Sequence, residues 1–250
     1  MKNYHMTNKY MFFIANWKMF GGLSSLNSIN KVLTFLKKSK ISKFAKIIYC
    51  PPSTLICPMA KKLKRTRVEV GAQNCHENEK PGAFTGSINS SMLKNVGAKY
   101  VIIGHSENRI LGEKDKLINL KIKSAMKSGL KVIFCIGETL QQKRKKITKK
   151  VLNRQIIQGL KKIRNKQKIL IAYEPVWAIG TGLIPKSKDL DETVNFIKNK
   201  NKNIKVLYGG SVSSQNINEL KLIKNIDGFL IGGASQDAKK FIDIIKKTYN

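Results

Sequence analysis

Short apolar runs alternate with longer stretches of helical period from one end of the chain to the other. The runs Phe12–Ala15, Ile47–Cys50, Val68–Gly71, Tyr100–Ile103, Lys131–Ile136, Ile169–Tyr173, Lys205–Tyr208 and Gly228–Ile231 are rich in Val, Ile and Phe and lack polar alternation. Such runs read as parallel strands covered on both faces, because an exposed face would impose a period of two. Between them, Ile29, Val32, Leu33 and Leu36 recur at i, i+3, i+4, i+7. Ile118, Ile122, Ala125 and Met126 form a second stripe, and Leu152, Ile156, Leu160 and Ile163 a third, each predicting an amphipathic helix. Gly129 stands just before a strand, where a helix C-cap is expected. Eight strands alternating with helices, with no Pro/Gly/Ser linker between them, predict a single α/β domain closed as a (β/α)8 barrel over residues 11–250. An open doubly wound sheet is the alternative, but its Gly-x-Gly-x-x-Gly turn is absent after the first strand. Residues 1–10 are polar and precede that strand, so they read as a loose N-terminal tail.

Composition sharpens this in one respect. A hydrophobic content of 42% with 25% charged residues belongs to a folded protein. The net charge of +33 is unusual and by itself suggests a polyanionic partner. The lysines, however, are spread over almost every expected helix, together with many Asn and Ile. The densest run, Lys143 to Lys146 with Lys149 and Lys150, has no aromatic residue for base stacking. Compositional drift towards Lys, Asn and Ile is a sufficient cause, so no dedicated nucleic-acid partner is expected. Weak, salt-dependent attraction to polyanions is. The cysteines Cys50, Cys57, Cys75 and Cys135 lack Cys-x-x-Cys spacing, which predicts reduced thiols, no metal site and a cytoplasmic location. The apolar run Met11–Ala15 is too short for a signal segment or a membrane span.

Candidate chemistry collects where a barrel of this kind places it, at the C-terminal ends of the strands. These ends carry Asn16-Trp17-Lys18, Gly104-His105-Ser106-Glu107, Cys135-Ile136-Gly137-Glu138, Glu174, Gly209-Gly210-Ser211 and Gly232-Gly233-Ala234. Glu174 is followed by a segment stiff at its start (Pro175, Trp177) and permissive at its end (Gly180, Gly182). That pattern suits a base beneath a hinged segment, the glycines absorbing the rotation. Read one at a time, each motif is also an ordinary turn or a solvated strand end.

Taken in order, Asn-Trp-Lys, Gly-His-Ser-Glu, Ala-Tyr-Glu-Pro-Val-Trp-Ala-Ile-Gly-Thr-Gly, Tyr-Gly-Gly-Ser-Val and Gly-Gly-Ala-Ser resemble the triosephosphate isomerase family. The resemblance runs from Phe12 to the last helix and implies a single-domain TIM barrel. It implies an aldose–ketose isomerase of glycolysis and gluconeogenesis that interconverts dihydroxyacetone phosphate and D-glyceraldehyde 3-phosphate through an enediolate, without a cofactor. By the same resemblance Glu174 is the base and His105 the neutral electrophile, a division of roles for which this family is a standard example. Lys18 supplies a fixed positive charge and Asn16 orients it. Gly180, Ser211, Gly232 and Gly233 form a phosphate cradle of backbone N–H groups. The segment after Glu174 corresponds to the family's lid, itself a standard case of such gating. Cys135 is expected to be a buried thiol lining the pocket without a covalent role, and Glu107 and Glu138 structural partners of nearby donors. The loop Gly71–Gly86 resembles one that reaches a second subunit through Thr85, which implies a homodimer. Two other functions share the scaffold: a basic barrel that binds nucleic acid, or another sugar-phosphate barrel enzyme.

The chain departs from the family pattern at three places. Ser87 stands where Glu is usual, Asn108 stands where Arg is usual, and the stretch from His105 to Glu113 is one residue short. None is a catalytic position, so the chemistry is expected to survive and the assembly to be weaker. The expected outcome is a thermal-unfolding midpoint below, and a dimer dissociation constant above, those of ordinary family members. Equal values would count against this reading.

Overall fold

The structure, a computed structural model, describes residues 9–250. Its strands are β1 (Met11–Asn16), β2 (Ala45–Cys50), β3 (Glu69–Ala72), β4 (Tyr100–Ile103), β5 (Lys131–Ile136), β6 (Ile169–Tyr173), β7 (Lys205–Tyr208) and β8 (Gly228–Ile231). They pair in parallel in chain order, and β8 returns to β1 to close the barrel. The main helices are α1 (Ile29–Lys38), α2 (Ser53–Leu63), α3 (Ser90–Asn95), α4 (Ser106–Ile110), α5 (Asp115–Lys127), α6 (Leu140–Arg144), α7 (Thr148–Gly159), α8 (Ser187–Lys200), α9 (Ile217–Leu220) and α10 (Ala238–Tyr249). Of the expected tail, residues 1–8 lie outside the described residues. Lys9 donates to the carbonyls of Lys224 (2.8 Å) and Ile226, and Tyr10 meets Phe12 edge-on.

Strand alternation sorts the core into two layers, which is why the runs carry no polar period. Ile14, Ile48, Ile102, Ile133, Cys135 and Leu207 point into the barrel, whereas Phe13, Ile47, Val101, Val132, Phe134 and Phe229 point outward under the helices. β2 begins two residues earlier than the apolar run because Lys46, turned to the barrel floor, pairs with Glu69 at 2.8 Å. α5 ends as its Gly129 cap predicts. Gly129 has φ +81°, its N–H donates to Met126 O, and Leu130 N–H donates to Ala125 O.

The third helical stripe is cut short. α7 stops at Gly159, leaving Leu160 and Ile163 buried or half-buried beyond its end. Gly159 rests against Phe134, whose ring would lie 2.4 Å from any Cβ there, and Lys162 then reverses the chain at φ +60°.

The closing seam between β1 and β8 brings two backbones into close approach. A Cβ on Gly228 would lie 2.1 Å from Phe12 O and 2.6 Å from Phe12 N, at φ +153°. Next to it Asp227 O accepts from Phe12 N–H, and the Asp227 carboxylate takes Val206 N–H together with Lys198 and Lys205. The atoms a Cβ on Gly228 would meet are all backbone, so no side chain can move aside. Gly228→Ala is therefore expected to cost at least the upper end of ordinary overpacking, about 3 kcal/mol. A urea-unfolding midpoint equal to the parent's would contradict this.

Candidate active site

The C-terminal ends of the strands surround a cavity of about 300 Å³. Asn16, Lys18, His105, Glu174, Gly180, Ser211, Gly232 and Gly233 all line it, whereas Cys135, expected to line it too, lies fully buried behind Glu174.

Asn16 ends β1 and is buried. Its Oδ1 accepts from Lys18 N–H at 3.1 Å, within a turn that holds Lys18 at φ +53°. A non-glycine residue in the left-handed region costs of order 1 kcal/mol or more and persists only when its surroundings enforce it. Gln73 does so, donating one amide N–H to Lys18 O at 2.7 Å and the other to Cys50 O at 2.9 Å. Sequence reasoning missed Gln73: a lone Gln two residues past an apolar run carries no signal of its own. The Lys18 ammonium lies 2.6 Å from Glu107 Oε1. Burial raises the Glu107 pKa, but the Lys18 hydrogen bond, the neighbouring His105 ring and the Lys18 charge outweigh it and leave the group below its ordinary value.

His105 caps the first turn of α4, and its Nδ1 accepts from Glu107 N–H at 3.3 Å. A ring nitrogen that accepts carries no proton, so the imidazole N–H sits on Nε2, the side facing the cavity. There it lies 3.4 Å from Glu174 Oε1. The other carboxylate oxygen of Glu174 accepts from Ser106 N–H at 3.4 Å. Glu174 is 2% exposed, and burial raises its pKa above the ordinary value against the opposing pull of His105, Ser106 N–H, Cys135 and Lys18. Cys135 is fully buried. Burial and then the Glu174 charge push its thiol well up, which removes it as a nucleophile and leaves it a neutral neighbour.

The segment after Glu174 is tied at both ends. Trp177 Nε1–H donates to Glu138 Oε1 at 2.9 Å, Tyr173 OH donates to the same carboxylate, and the Lys143 ammonium lies 3.4 Å over the Trp177 ring centre. On the far side Ser211 Oγ donates to Ala178 O at 2.6 Å and accepts from Gly182 N–H at 3.1 Å. Gly180 and Gly182, at φ +71° and +77°, are exposed with open space about them. Asn216, also missed from the sequence, braces the turn below by accepting from Ser213 N–H and donating to Ser211 O.

A second, wider cleft of about 570 Å³ adjoins the first and shares Asn16, Lys18 and His105 with it. Gly86, Ser87 and Asn108 line this cleft, so two of the departures from the family pattern fall on it. Residues 81–87 are exposed throughout, and Met19 and Leu111 stand nearby at 93% and 84% exposure. Among the described residues no group of three potential metal ligands occurs, and no helix is long and apolar enough to cross a membrane.

Comparison with known proteins agrees with this geometry. The family model described as triosephosphate isomerase matches residues 11–248. The triosephosphate isomerase of Dictyoglomus thermophilum is 42% identical over 93% of this chain and 97% of its own length. That of Aquifex aeolicus is 42% identical over 92% and 96%. The crystal structure of triosephosphate isomerase from Bartonella henselae superposes with a TM-score of 0.87 at 35% identity, covering 96% of this chain and 99% of its own. Full-length similarity of sequence, fold and barrel-mouth motifs together make this chain a member of the triosephosphate isomerase family.

Proposed function

We propose that the chain interconverts dihydroxyacetone phosphate and D-glyceraldehyde 3-phosphate at the cavity ringed by the C-terminal strand ends, as a step of glycolysis and gluconeogenesis. The convergence of Lys18, His105 and Glu174 on one space beside Gly232 and Gly233 carries this reading. Moving a proton between adjacent carbons needs a base at the C–H bond and a donor at the neighbouring oxygen. Glu174 takes the proton from the carbon next to the carbonyl, and the C–H electron pair becomes the new C=C bond. The negative charge then develops on the former carbonyl oxygen. There His105 Nε2–H donates and the Lys18 ammonium balances the charge. His105 gives its Nε2 proton to that oxygen and takes the hydroxyl proton of the neighbouring one, and return of the proton from Glu174 to the other carbon completes the isomerisation.

Burial supports the base role, since a desolvated carboxylate is more basic than one in water. Gly232 and Gly233 leave their backbone without a covering Cβ, which suits a phosphate held by N–H groups. Gly180 and Gly182 would let the intervening segment fold over it, shielding the enediolate from water. The exposed loop carrying Thr85, together with the cleft beside Lys18, supports a homodimer in which the loop of one copy enters the cleft of the other. A cytoplasmic location accords with this function. The basic-scaffold alternative is not favoured, because family membership accounts for the site without it.

One variant separates chemistry from stability. Glu174→Gln is expected to lower kcat by roughly 10²–10⁴-fold with little change in KM, the usual loss for a positioned base. Undiminished turnover in the coupled isomerase assay would overturn the assignment. The same variant should be more stable than the parent at alkaline pH. The folded state raises the Glu174 pKa above its ordinary 4.5. The stabilisation from its neutral form is therefore complete below 4.5 and is lost as pH rises through the raised value. Gln stays neutral throughout, so the difference in melting temperature should open with rising pH and close towards pH 4. A difference independent of pH would show that the carboxylate is not desolvated.

A further inference from the structure

The molecule has another cavity, of about 400 Å³, remote from the chemistry. It lies in the layer between barrel and helices, where α1, the start of β2 and the segment before β3 meet, at the end of the strands opposite to Glu174. Its floor is apolar: Leu33, Leu36, Ala45, Ile47 and Val68. Its rim carries Lys37, Arg65 and Arg67 and includes no carboxylate.

Two features set this place apart from an ordinary surface dent. Helix–sheet layers normally pack as densely as organic crystals, so an unfilled apolar opening between them is uncommon. Its size falls within the roughly 300–1,000 Å³ of small-molecule sites. The rim charge is also one-sided for a structural reason. Glu69 follows Val68 directly, but strand alternation turns Val68 out towards the cavity and Glu69 inward to Lys46. Among the described residues none of Lys37, Arg65 and Arg67 forms an ion pair. Arg67 makes only a long contact of 3.5 Å to Ser42 O.

We propose that this cavity binds an aliphatic carboxylate of medium chain length, its tail on the Leu33–Leu36–Val68 floor and its head between the guanidinium groups of Arg65 and Arg67. An apolar floor alone would accept any hydrocarbon. Two guanidinium groups at its edge select an anionic head with paired oxygens, which the planar N–H fork of Arg matches. Ser42 and Thr66 on the same rim donate their hydroxyls to Ser39 O and Leu63 O, both at 3.0 Å, so recognition of the head falls to the guanidinium groups. None of the lining residues belongs to the isomerase site, so occupancy and turnover are separable.

The test is a titration of the full-length protein with decanoate, hexanoate and decanol at fixed ionic strength, read from backbone amide shifts. Saturable shifts at Ala45, Ile47 and Val68 are expected with decanoate. Hexanoate should bind one to two orders of magnitude more weakly, since each buried methylene contributes up to about fourfold. Decanol, lacking the charge, and the variant Arg65→Glu/Arg67→Glu with decanoate should each bind at least about tenfold more weakly. Isomerase turnover of that variant should be unchanged. If the double variant does not fold, Ala45→Leu, which fills the floor, should remove the shifts by itself. Three results would overturn the proposal. These are no saturable shift at the three amides, equal affinity for hexanoate and decanoate (attraction to a basic surface only), or undiminished decanoate binding in the folded variants.

Discussion

A carboxylate kept nearly dry inside a crowded ring of strand ends is the constraint to which the rest of this molecule answers. The backbone around Glu174 leaves no slack. Its N–H donates to Ile136 O at 2.7 Å, its own carbonyl would lie 1.8 Å from a Cβ on Gly137, and its Cγ would lie 2.8 Å from one on Gly209. β5, β6 and β7 close on Glu174 only because glycine occupies both flanking positions. Burial of a charge is costly unless partners are supplied, and the partners here are few and long: Ser106 N–H and His105 Nε2, both at 3.4 Å. The carboxylate is therefore held in place without being quenched, as a group that must accept a proton requires.

The opposite wall of the cavity is built by the reverse strategy. Lys18 is positioned through its backbone, with Asn16 and Gln73 gripping its N–H and C=O while the side chain reaches to Glu107. A flexible four-carbon stem would otherwise spread its charge over a wide arc. Fixing the backbone in a left-handed turn and offering one carboxylate confines the ammonium to the mouth. Glu107 has a second task, since its backbone N–H fixes the His105 tautomer. The expectation that Glu107 partners nearby donors thus understated it: one residue orients the cation by its side chain and the imidazole by its main chain.

Much of this was legible in the sequence because a parallel barrel writes its strands plainly. Burial on both faces turns each strand into a continuous apolar run, and β4 to β8 lie where those runs do. The edges that differed were decided by contacts between distant residues. Lys46 enters β2 because Glu69 waits across the floor, and α7 carries a glycine at its last position because the Phe134 ring fills the space a Cβ would need. Gln73 and Asn216 were missed for a related reason. Each acts by bonding to backbone groups of other segments, and such a role leaves no trace in local composition or period.

By itself, then, the order of apolar runs and strand-end motifs determined the closed parallel barrel, the family and the identity of the residues at its mouth. Those features are local and repeat along the chain, so pattern suffices to read them. Only tertiary structure decided which nitrogen of His105 carries its proton, what holds Lys18 in its turn, and why a carboxylate beside a strand end is desolvated. It alone also revealed an apolar opening edged by Arg65 and Arg67, whose neighbouring Glu69 faces the other way. Each of these depends on distances between segments far apart in the chain, which folding sets and linear order does not record.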